Sequence, residues 1–175
     1  MITRDDVQIV IGDRALRRAG LRAITIMQRR TLSGVGVDEQ GNAYRFPPYS
    51  EKTFAMPAGG ITGQARSRLK GRLHYFETKS GAKWVLVDGG YRALKMARYP
   101  QHGGIVNLSA EGRMLRSLAI VGIGQDGQVQ IGFARQEEAR KAYWNALRGR
   151  RFLGLTPDEQ AEVAAIAAEG ITFKL

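Results

Sequence analysis

The residues that could do chemistry in this chain are one glycine-rich motif and two histidines. Gly122, Gly124 and Gly127 form a G-x-G-x-x-G pattern after a strand-like run. In dinucleotide-binding proteins this pattern opens a helix whose N-terminus receives a pyrophosphate. Here the run that follows, Val129-Gln-Ile131, alternates like a second strand, and Asp126-Gly127 is a common hairpin turn pair. We therefore interpret the motif as a β-hairpin and not as a nucleotide site.

The two histidines offer little catalytic or metal-binding chemistry. His74 lies in an aromatic strand-like run, which favours a packed or surface side chain, and His102 lies in a glycine-rich loop. A serine-histidine-aspartate arrangement forms only in space, so a small hydrolase using His102 stays open as a remote alternative. The chain has no cysteine, which excludes disulfides and thiolate metal sites and is typical of a reducing cytoplasm. We expect no enzymatic activity, no metal and no cofactor.

Composition indicates a basic, globular protein. The 175 residues predict a single domain, residues 1–175, and the formal net charge is +11, from 27 Lys and Arg against 16 Asp and Glu. Such a charge implies an anionic neighbour, which could be nucleic acid, an acidic protein surface or a membrane surface; the alternative is a solvated basic face. No apolar run is long enough for a membrane span and no cleavable signal is visible at the N-terminus, so we expect no membrane partner.

Hydrophobic periodicity predicts an α+β fold, with an antiparallel sheet built from two hairpins and packed by a long N-terminal helix and C-terminal helices. A long Gly/Pro-rich loop interrupts this pattern. The predicted elements are a strand at 7–11, a helix at 13–32, a hairpin at 72–87, a helix at 91–99, a helical turn at 112–115, a hairpin at 118–133, helices at 136–147 and 156–169, and an edge strand at 171–175.

The N-terminal helix is predicted to begin at Asp13 as its N-cap and to carry two stripes. An apolar stripe contains Leu16, Ala19, Ala23, Ile26 and Met27, with Arg30 at the same helical spacing. A basic stripe contains Arg14, Arg18, Arg22 and Arg29. The last helix, by contrast, is acidic. We expect that a chain with a basic body and an acidic end could dock head-to-tail with copies of itself.

The loop at about 33–63 is rich in glycine and proline, and we predict that it is irregular. Loops of this length inside a compact domain are usually functional or flexible. We interpret its aromatic residues as apolar anchors that order on docking, with local packing as the alternative. Removal of residues 37–56 is then expected to leave a folded protein that fails to assemble.

Two aromatic residues, Tyr143 and Trp144, follow Arg140 and Lys141 on the helix at 136–147. Aromatic residues among basic ones can form a stacking platform for nucleic acid, but at helical spacing we favour core side chains. The helices on either side of Arg148–Arg151 are not interpreted as a helix-turn-helix. The second of them is acidic, and an acidic recognition helix would repel phosphates.

The segment before the last helix has the clearest local signal in the chain. The basic turn Arg148–Arg151 is followed by the apolar residues Phe152, Leu153 and Leu155. Thr156 then fits an N-cap, Pro157 fits the first helical position, and Glu159 completes a capping box.

Three segments together resemble the neck and tail-completion proteins of tailed bacteriophages, especially the virion-morphogenesis family of phage Mu type. Arg30–Thr53 is similar to that family's loop of glycine, aspartate, glycine, aromatic, proline and tyrosine-serine-x-x-threonine. Val106–Leu118 is similar to the stretch where the family has threonine-glycine-x-leucine before a strand. Arg150–Glu159 is the third segment. Their order and spacing extend over most of the chain.

The resemblance implies a structural virion protein, made in the bacterial host cytoplasm, that forms a ring at the head–tail junction around the DNA channel. Its partners would be copies of itself, the portal or connector, and tail-terminator or tail-tube proteins, with non-specific contact to passing DNA. Within the chain, the candidate docking-loop residues are Tyr44, Phe46, Pro47, Pro48, Tyr49 and Phe54. The candidate C-terminal interface residues are Phe152, Leu153 and Leu155. The candidate DNA-facing or interface arginines are Arg14, Arg18, Arg22, Arg29, Arg148, Arg150 and Arg151.

A different class of function stays open. The same arginines could contact phosphates in a stand-alone basic nucleic-acid-binding protein. That hypothesis predicts micromolar or tighter binding with a steep dependence on salt concentration.

Overall fold

The computed structural model describes residues 8–102, 104–108, 112–124 and 127–174. The chain divides into two compact units. Unit 1 consists of Met1–Phe46 and Glu111–Leu175, and unit 2 consists of Pro47–Ala110. Unit 2 is therefore an insertion in the sequence of unit 1. A single domain over residues 1–175 stays a prediction, because a division by contacts does not measure independent folding.

The predicted α+β class is confirmed, and every strand pairing among the described residues is antiparallel. No helix in the described ranges is both long enough and apolar enough to cross a membrane. The helices are α1 (Asp13–Leu32), α2 (Gly63–Arg68), α3 (Gly90–Arg98), α4 (Arg113–Arg116), α5 (Gln136–Leu147) and α6 (Pro157–Ala168). The strands are β1 (Gln8–Ile11), β2 (Val35–Val37), β3 (Ala43–Arg45), β4 (Phe54–Pro57), β5 (Leu73–Glu77), β6 (Lys83–Val87), β7 (Leu118–Ile123), β8 (Val129–Phe133) and β9 (Ile171–Lys174).

Helix α1 is the centre of unit 1, where it packs against α6 and against the β7–β8 hairpin. The apolar side of α1 is buried as its spacing predicted, from Ala15 to Thr31. Gly20 lies on this side, and a Cβ there would stand 2.8 Å from side-chain carbons of Ile120 and Val129. Glycine weakens an isolated helix, but at position 20 its lack of a side chain allows α1 to approach the β7–β8 hairpin closely.

The start of α1 differs from the prediction. Gly12 is the N-cap and makes no side-chain hydrogen bond, and Asp13 is the first helical residue. The assignment of Asp13 as the cap was wrong. Its carboxylate still lies in the first turn, where the helix dipole stabilises negative charge.

Strand β9 pairs with β1, which confirms the predicted C-terminal edge strand. The register runs from Ile11 opposite Ile171 to Gln8 opposite Lys174. The backbone N–H of Gly12 also donates to the carbonyl of Gly170 at 3.1 Å. The first and last described strands of the chain are thus neighbours in one sheet.

Unit 2 is a three-stranded sheet in the order β4-β6-β5, with β6 in the centre. The predicted β5–β6 hairpin is confirmed, with Thr78 to Ala82 closing its turn. Helices α2 and α3 are neighbours in this unit, and α3 lies beside β6. The apolar core of unit 2 consists of Ile61, Ala65, Leu69, Val85, Val87, Ala93, Leu94 and Ala97.

The stretch 33–63 is not an irregular loop, so that prediction was wrong. Its first part forms the β2–β3 hairpin of unit 1, and its second part contributes β4 to the sheet of unit 2. Removal of residues 37–56 would take strands from both units. The expectation that such a deletion leaves a folded protein is therefore withdrawn.

Candidate interaction surfaces

The segment that leads into α6 is held by the predicted capping box, which is confirmed. The Thr156 hydroxyl accepts from the Glu159 backbone N–H at 3.4 Å, and the Glu159 carboxylate accepts from the Thr156 N–H at 2.8 Å. Pro157 is the first helical residue. The capping box thus fixes the backbone where the apolar segment 152–155 ends and α6 begins.

One arginine of α1 holds this segment in place. Arg30 forms an ion pair with Glu159, and its guanidinium also donates to the carbonyls of Phe152 at 2.9 Å and Gly154 at 2.8 Å. The Arg30 side chain is only 8% exposed. Burial lowers the pKa of Arg30 and the Glu159 carboxylate partly offsets that effect, but the guanidinium stays charged at any ordinary pH. Arg30 therefore joins α1 to α6 and to the segment before α6.

The three predicted apolar interface residues have different environments. Phe152 is buried and packs edge-on against Phe133, with ring centroids 6.3 Å apart, so it belongs to the core. Leu153 is exposed and Leu155 is half-buried. These two leucines line an apolar recess of about 220 Å³ with Ala23, Met27, Ile131 and Gly154.

The β2–β3 hairpin is bonded to the basic turn before Phe152. The Tyr44 hydroxyl accepts from the Arg151 N–H at 2.7 Å and lies 3.1 Å from the Gly149 carbonyl. The Val37 N–H donates to the Arg151 carbonyl at 3.1 Å. Gly36 lies at this crossing, where an added Cβ would stand 2.2 Å from the Arg151 carbonyl oxygen. Glycine is thus required by close approach of two backbones.

Most aromatic residues predicted to dock are instead packed within the fold. Phe46 and Tyr49 are buried, Tyr44 and Phe54 are half-buried, and Pro47 and Pro48 are exposed. Tyr49 packs edge-on against Tyr91 with centroids 5.1 Å apart. Local packing, which was the alternative interpretation, is thus observed for Phe46 and Tyr49, and a docking role for this segment stays a prediction.

The predicted basic stripe of α1 is partly neutralised by α6. Arg18 pairs with Glu169 at 2.9 Å, and the Arg22 Nε donates to Glu162 at 2.6 Å. These pairs are exposed, so each contributes on the order of 0.2–1 kcal/mol to stability. Glu162 and Glu169, two of the acidic residues expected to dock on another copy, thus pair within the same chain.

The remaining predicted arginines have varied surroundings. Arg14 and Arg29 are exposed, and no ion pair is found for them within the described part of the chain. Arg148 is also exposed. Arg150 is buried, and Arg151 pairs with Glu39 at 2.7 Å. These arginines therefore do not form one uniformly exposed basic surface.

The outer face of α5 is an exposed apolar surface that was not among the predicted interface residues. Tyr143, Trp144 and Leu147 are 61%, 58% and 60% exposed. The interpretation of Tyr143 and Trp144 as core side chains was therefore wrong. The inner face of α5 is formed by Ala142 and the buried Glu138. The sequence does indicate that this face is exposed. Arg140 is three residues before Tyr143 and four before Trp144, so a charged side chain lies on the same face as the two aromatic residues.

Lys95 of α3 is the buried cation of unit 2. Its ammonium lies 4.9 Å from the ring centroid of Tyr99 and 5.9 Å from that of Tyr49. Burial lowers the pKa of Lys95 to about 8. Burial also lowers the pKa of His102, and the Lys95 charge lowers it further. The hydrolase alternative for His102 stays untested.

The stability of unit 2 is expected to increase with pH because of Lys95. Between about pH 8 and pH 10.5 an unfolded chain keeps the Lys95 proton while the folded unit releases it. The free energy of unfolding therefore rises with pH in this window, by up to about 1.4 kcal/mol per pH unit. Urea unfolding from pH 7.5 to 10 measures this, and Lys95→Met should remove the rise. An equal slope in the variant would contradict the assignment.

His74 is a surface histidine, as one interpretation predicted. Its Nε2 lies 2.7 Å from Asp88, whose other oxygen accepts from the Thr53 hydroxyl at 3.1 Å. The His74 hydrogen bond, followed by that of Thr53, lowers the pKa of Asp88. The hydroxyl is bonded to the carboxylate and not to the imidazole, so the order of a catalytic triad is not formed.

The described residues contain no cluster of three or more His, Cys, Asp or Glu side chains able to hold a metal ion. The glycine motif at 122–127 lies in the β7–β8 hairpin, which supports the hairpin interpretation; Gln125 and Asp126 lie outside the described residues.

Comparison of the chain with protein-family models, curated proteins and solved structures found no match.

Proposed function

We propose that this protein is a structural virion component of the head–tail junction of a tailed bacteriophage, acting as a neck, connector or tail-completion protein. In this proposal several copies form a ring that surrounds the DNA channel and joins the portal or connector to the tail. The proposal starts from the resemblance of three segments to that family. The observation that carries it further is the exposed face of α5, with Tyr143, Trp144 and Leu147.

That face has the chemistry of a protein interface. Trp, Tyr and Arg are the residue types that most often supply binding energy at interfaces. Here Arg140, the two aromatic residues and Leu147 follow one another at helical spacing on one face of α5. Large apolar side chains that stay about 60% exposed in a free chain are a cost to solubility unless a partner covers them. An assembly part meets that partner when the virion forms.

The charge of the chain is compatible with a channel for DNA. Net charge of +11 attracts phosphates without sequence preference. Pairing of Arg18 and Arg22 with α6 reduces that attraction locally. The exposed arginines of α1 for which no ion pair is found among the described residues are Arg14, Arg17 and Arg29. A ring through which DNA must slide needs only a moderate attraction between its basic side chains and the DNA phosphates.

Electron microscopy of lysates tests this proposal directly. Phage that make the protein would be compared with a nonsense mutant that does not, and a plasmid copy of the chain would serve as the rescue control. Full heads lying apart from free tails, restored to virions by the plasmid, are expected. Intact infectious virions without the protein would remove the structural role.

A second candidate function is favoured by the same aromatic residues. Exposed Tyr143 and Trp144 near Arg140 could stack on the bases of a single strand. Binding of a 20-nucleotide oligo-dT, followed by tryptophan fluorescence, tests this. Affinity that falls steeply between 50 and 200 mM salt and is lost in Trp144→Ala would support nucleic-acid binding; unchanged fluorescence at low salt would exclude it.

A further inference from the structure

We propose that the exposed face of α5 in one copy docks into the apolar recess beside Leu153 in a second copy. This inference rests on the ring in the proposed function and names the contact that would build it. The donor surface is Tyr143, Trp144 and Leu147. The acceptor surface is the recess lined by Ala23, Met27, Ile131, Leu153, Gly154 and Leu155.

The donor surface is a continuous helical face. Tyr143 and Leu147 are four residues apart, and Trp144 and Leu147 are three apart, so their side chains are neighbours on α5. The rings of Tyr143 and Trp144 pack edge-on with centroids 5.8 Å apart. This arrangement presents anchors at the spacing by which amphipathic helices enter apolar grooves.

The acceptor recess has a matching size and polarity. Its volume is about 220 Å³ and its side chains are all apolar. An apolar cavity of about 150 Å³ is known to hold a benzene molecule, so a recess of this size can receive an aromatic or leucine side chain. Its floor is formed by α1 and β8, which are fixed by the core of unit 1.

Charge favours the same pairing. Arg140 and Arg148 are exposed on and next to the donor helix, whereas Asp158 is exposed in the first turn of α6, three residues after Leu155 in the acceptor. The other α6 carboxylates pair with α1, and no ion pair is found for Asp158 within the described residues. Asp158 is therefore the carboxylate available to an arginine of another copy.

A second copy fits these observations better than a nucleic acid. Leu147 cannot stack on a base, and the side chains of the recess carry no hydrogen-bonding group for a base edge. Donor and acceptor consist of different residues, so the contact is heterologous. Heterologous contacts build rings when the rotation between copies closes.

Cross-linking tests the contact, because the chain has no cysteine. Leu147→Cys and Leu153→Cys proteins would be mixed and treated with a short bis-maleimide. Cross-linked dimers are expected in the mixture and not in either variant alone. Arg17→Cys, at an exposed position of α1, replaces Leu147→Cys as the control.

Two cross-linking results would overturn the proposal. One is a yield in the mixture no higher than that of the Arg17→Cys control. The other is efficient cross-linking of Leu147→Cys alone, which would show that two α5 helices pack on each other.

Self-association of the unmodified chain gives a second test, by sedimentation velocity from micromolar to millimolar concentration. Trp144→Ala is expected to weaken association about 10-fold or more, whereas Leu21→Ala, at another exposed apolar position, should leave it unchanged. Arg140→Asp and Asp158→Lys should each weaken association, and the double variant should restore it. A monomer at every concentration would contradict the contact.

The outcomes separate this inference from the proposed function. Separated heads and tails in the nonsense mutant, together with no self-contact, would remove this inference alone. Intact virions together with specific Leu147–Leu153 cross-links would remove the junction role and keep the contact. Binding of oligo-dT through Trp144 with no self-association would overturn the contact in favour of a nucleic-acid partner.

Discussion

Replacement of Arg30 by leucine is expected to lower the free energy of unfolding of unit 1 by about 3–5 kcal/mol. The change leaves the Glu159 carboxylate, only 19% exposed, without its cation. It also removes the donor to the carbonyls of Phe152 and Gly154. Urea unfolding followed by circular dichroism gives the loss, and amide hydrogen exchange shows whether it falls on α1 and α6.

Two variants control for this effect. Arg18→Leu breaks an exposed ion pair with Glu169 and should cost less than about 1 kcal/mol. Arg30→Leu combined with Glu159→Gln removes both charges, keeps an acceptor for the Thr156 N–H, and should recover part of the loss. A loss for Arg30→Leu as small as that for Arg18→Leu would show that the buried pair does not hold the segment before α6.

Gly36→Ala is the second change with a large expected effect. The added Cβ would stand 2.2 Å from the Arg151 carbonyl oxygen and 2.6 Å from the Phe46 ring, and a backbone carbonyl cannot move away as a flexible side chain can. Overpacking costs roughly 1–3 kcal/mol, and loss of the Val37 to Arg151 hydrogen bond adds about 0.5–1.5 kcal/mol. We expect a lower melting temperature by calorimetry, or failure to fold.

Gly63→Ala is the matched control for Gly36→Ala. Gly63 is the first residue of α2, and a Cβ there meets nothing within 4 Å. Alanine favours a helix by up to about 1 kcal/mol over glycine, so this variant should melt at the same temperature or higher. Equal melting of both variants would show that the β2–β3 hairpin does not approach Arg151 as closely as described.

The elements that the sequence predicted well are those set by local chemistry. The capping box at Thr156 and the hairpin turn between β5 and β6 are formed by neighbours in sequence. Strands β2 and β3 pair locally but were missed because each has only three residues and glycines lie in and around them. Strand β4 was missed because it has four residues and its partner, β6, is distant in the sequence. Gly36 was interpreted as a loop residue. The reason for a glycine there is the close approach of Arg151, which is far away in the sequence.

The candidate surfaces show the same limit. The sequence placed Arg30 on the apolar stripe of α1 and Glu159 in a capping box, but no local pattern indicates that these two side chains meet. Tyr143 and Trp144 were assigned to the wrong side of α5, because amphipathic spacing shows which residues share a face and not which face is covered. The position of Arg140 on that face favours an exposed face over a buried one.

The insertion of unit 2 within unit 1 has a consequence for synthesis on the ribosome. Helix α1 is translated before unit 2, whereas its packing partners β7, β8 and α6 are translated only after all of unit 2. At about 5–20 residues per second, the stripe from Leu16 to Met27 waits several seconds for its partners. The apolar side of α1 therefore stays uncovered by these elements throughout the synthesis of unit 2.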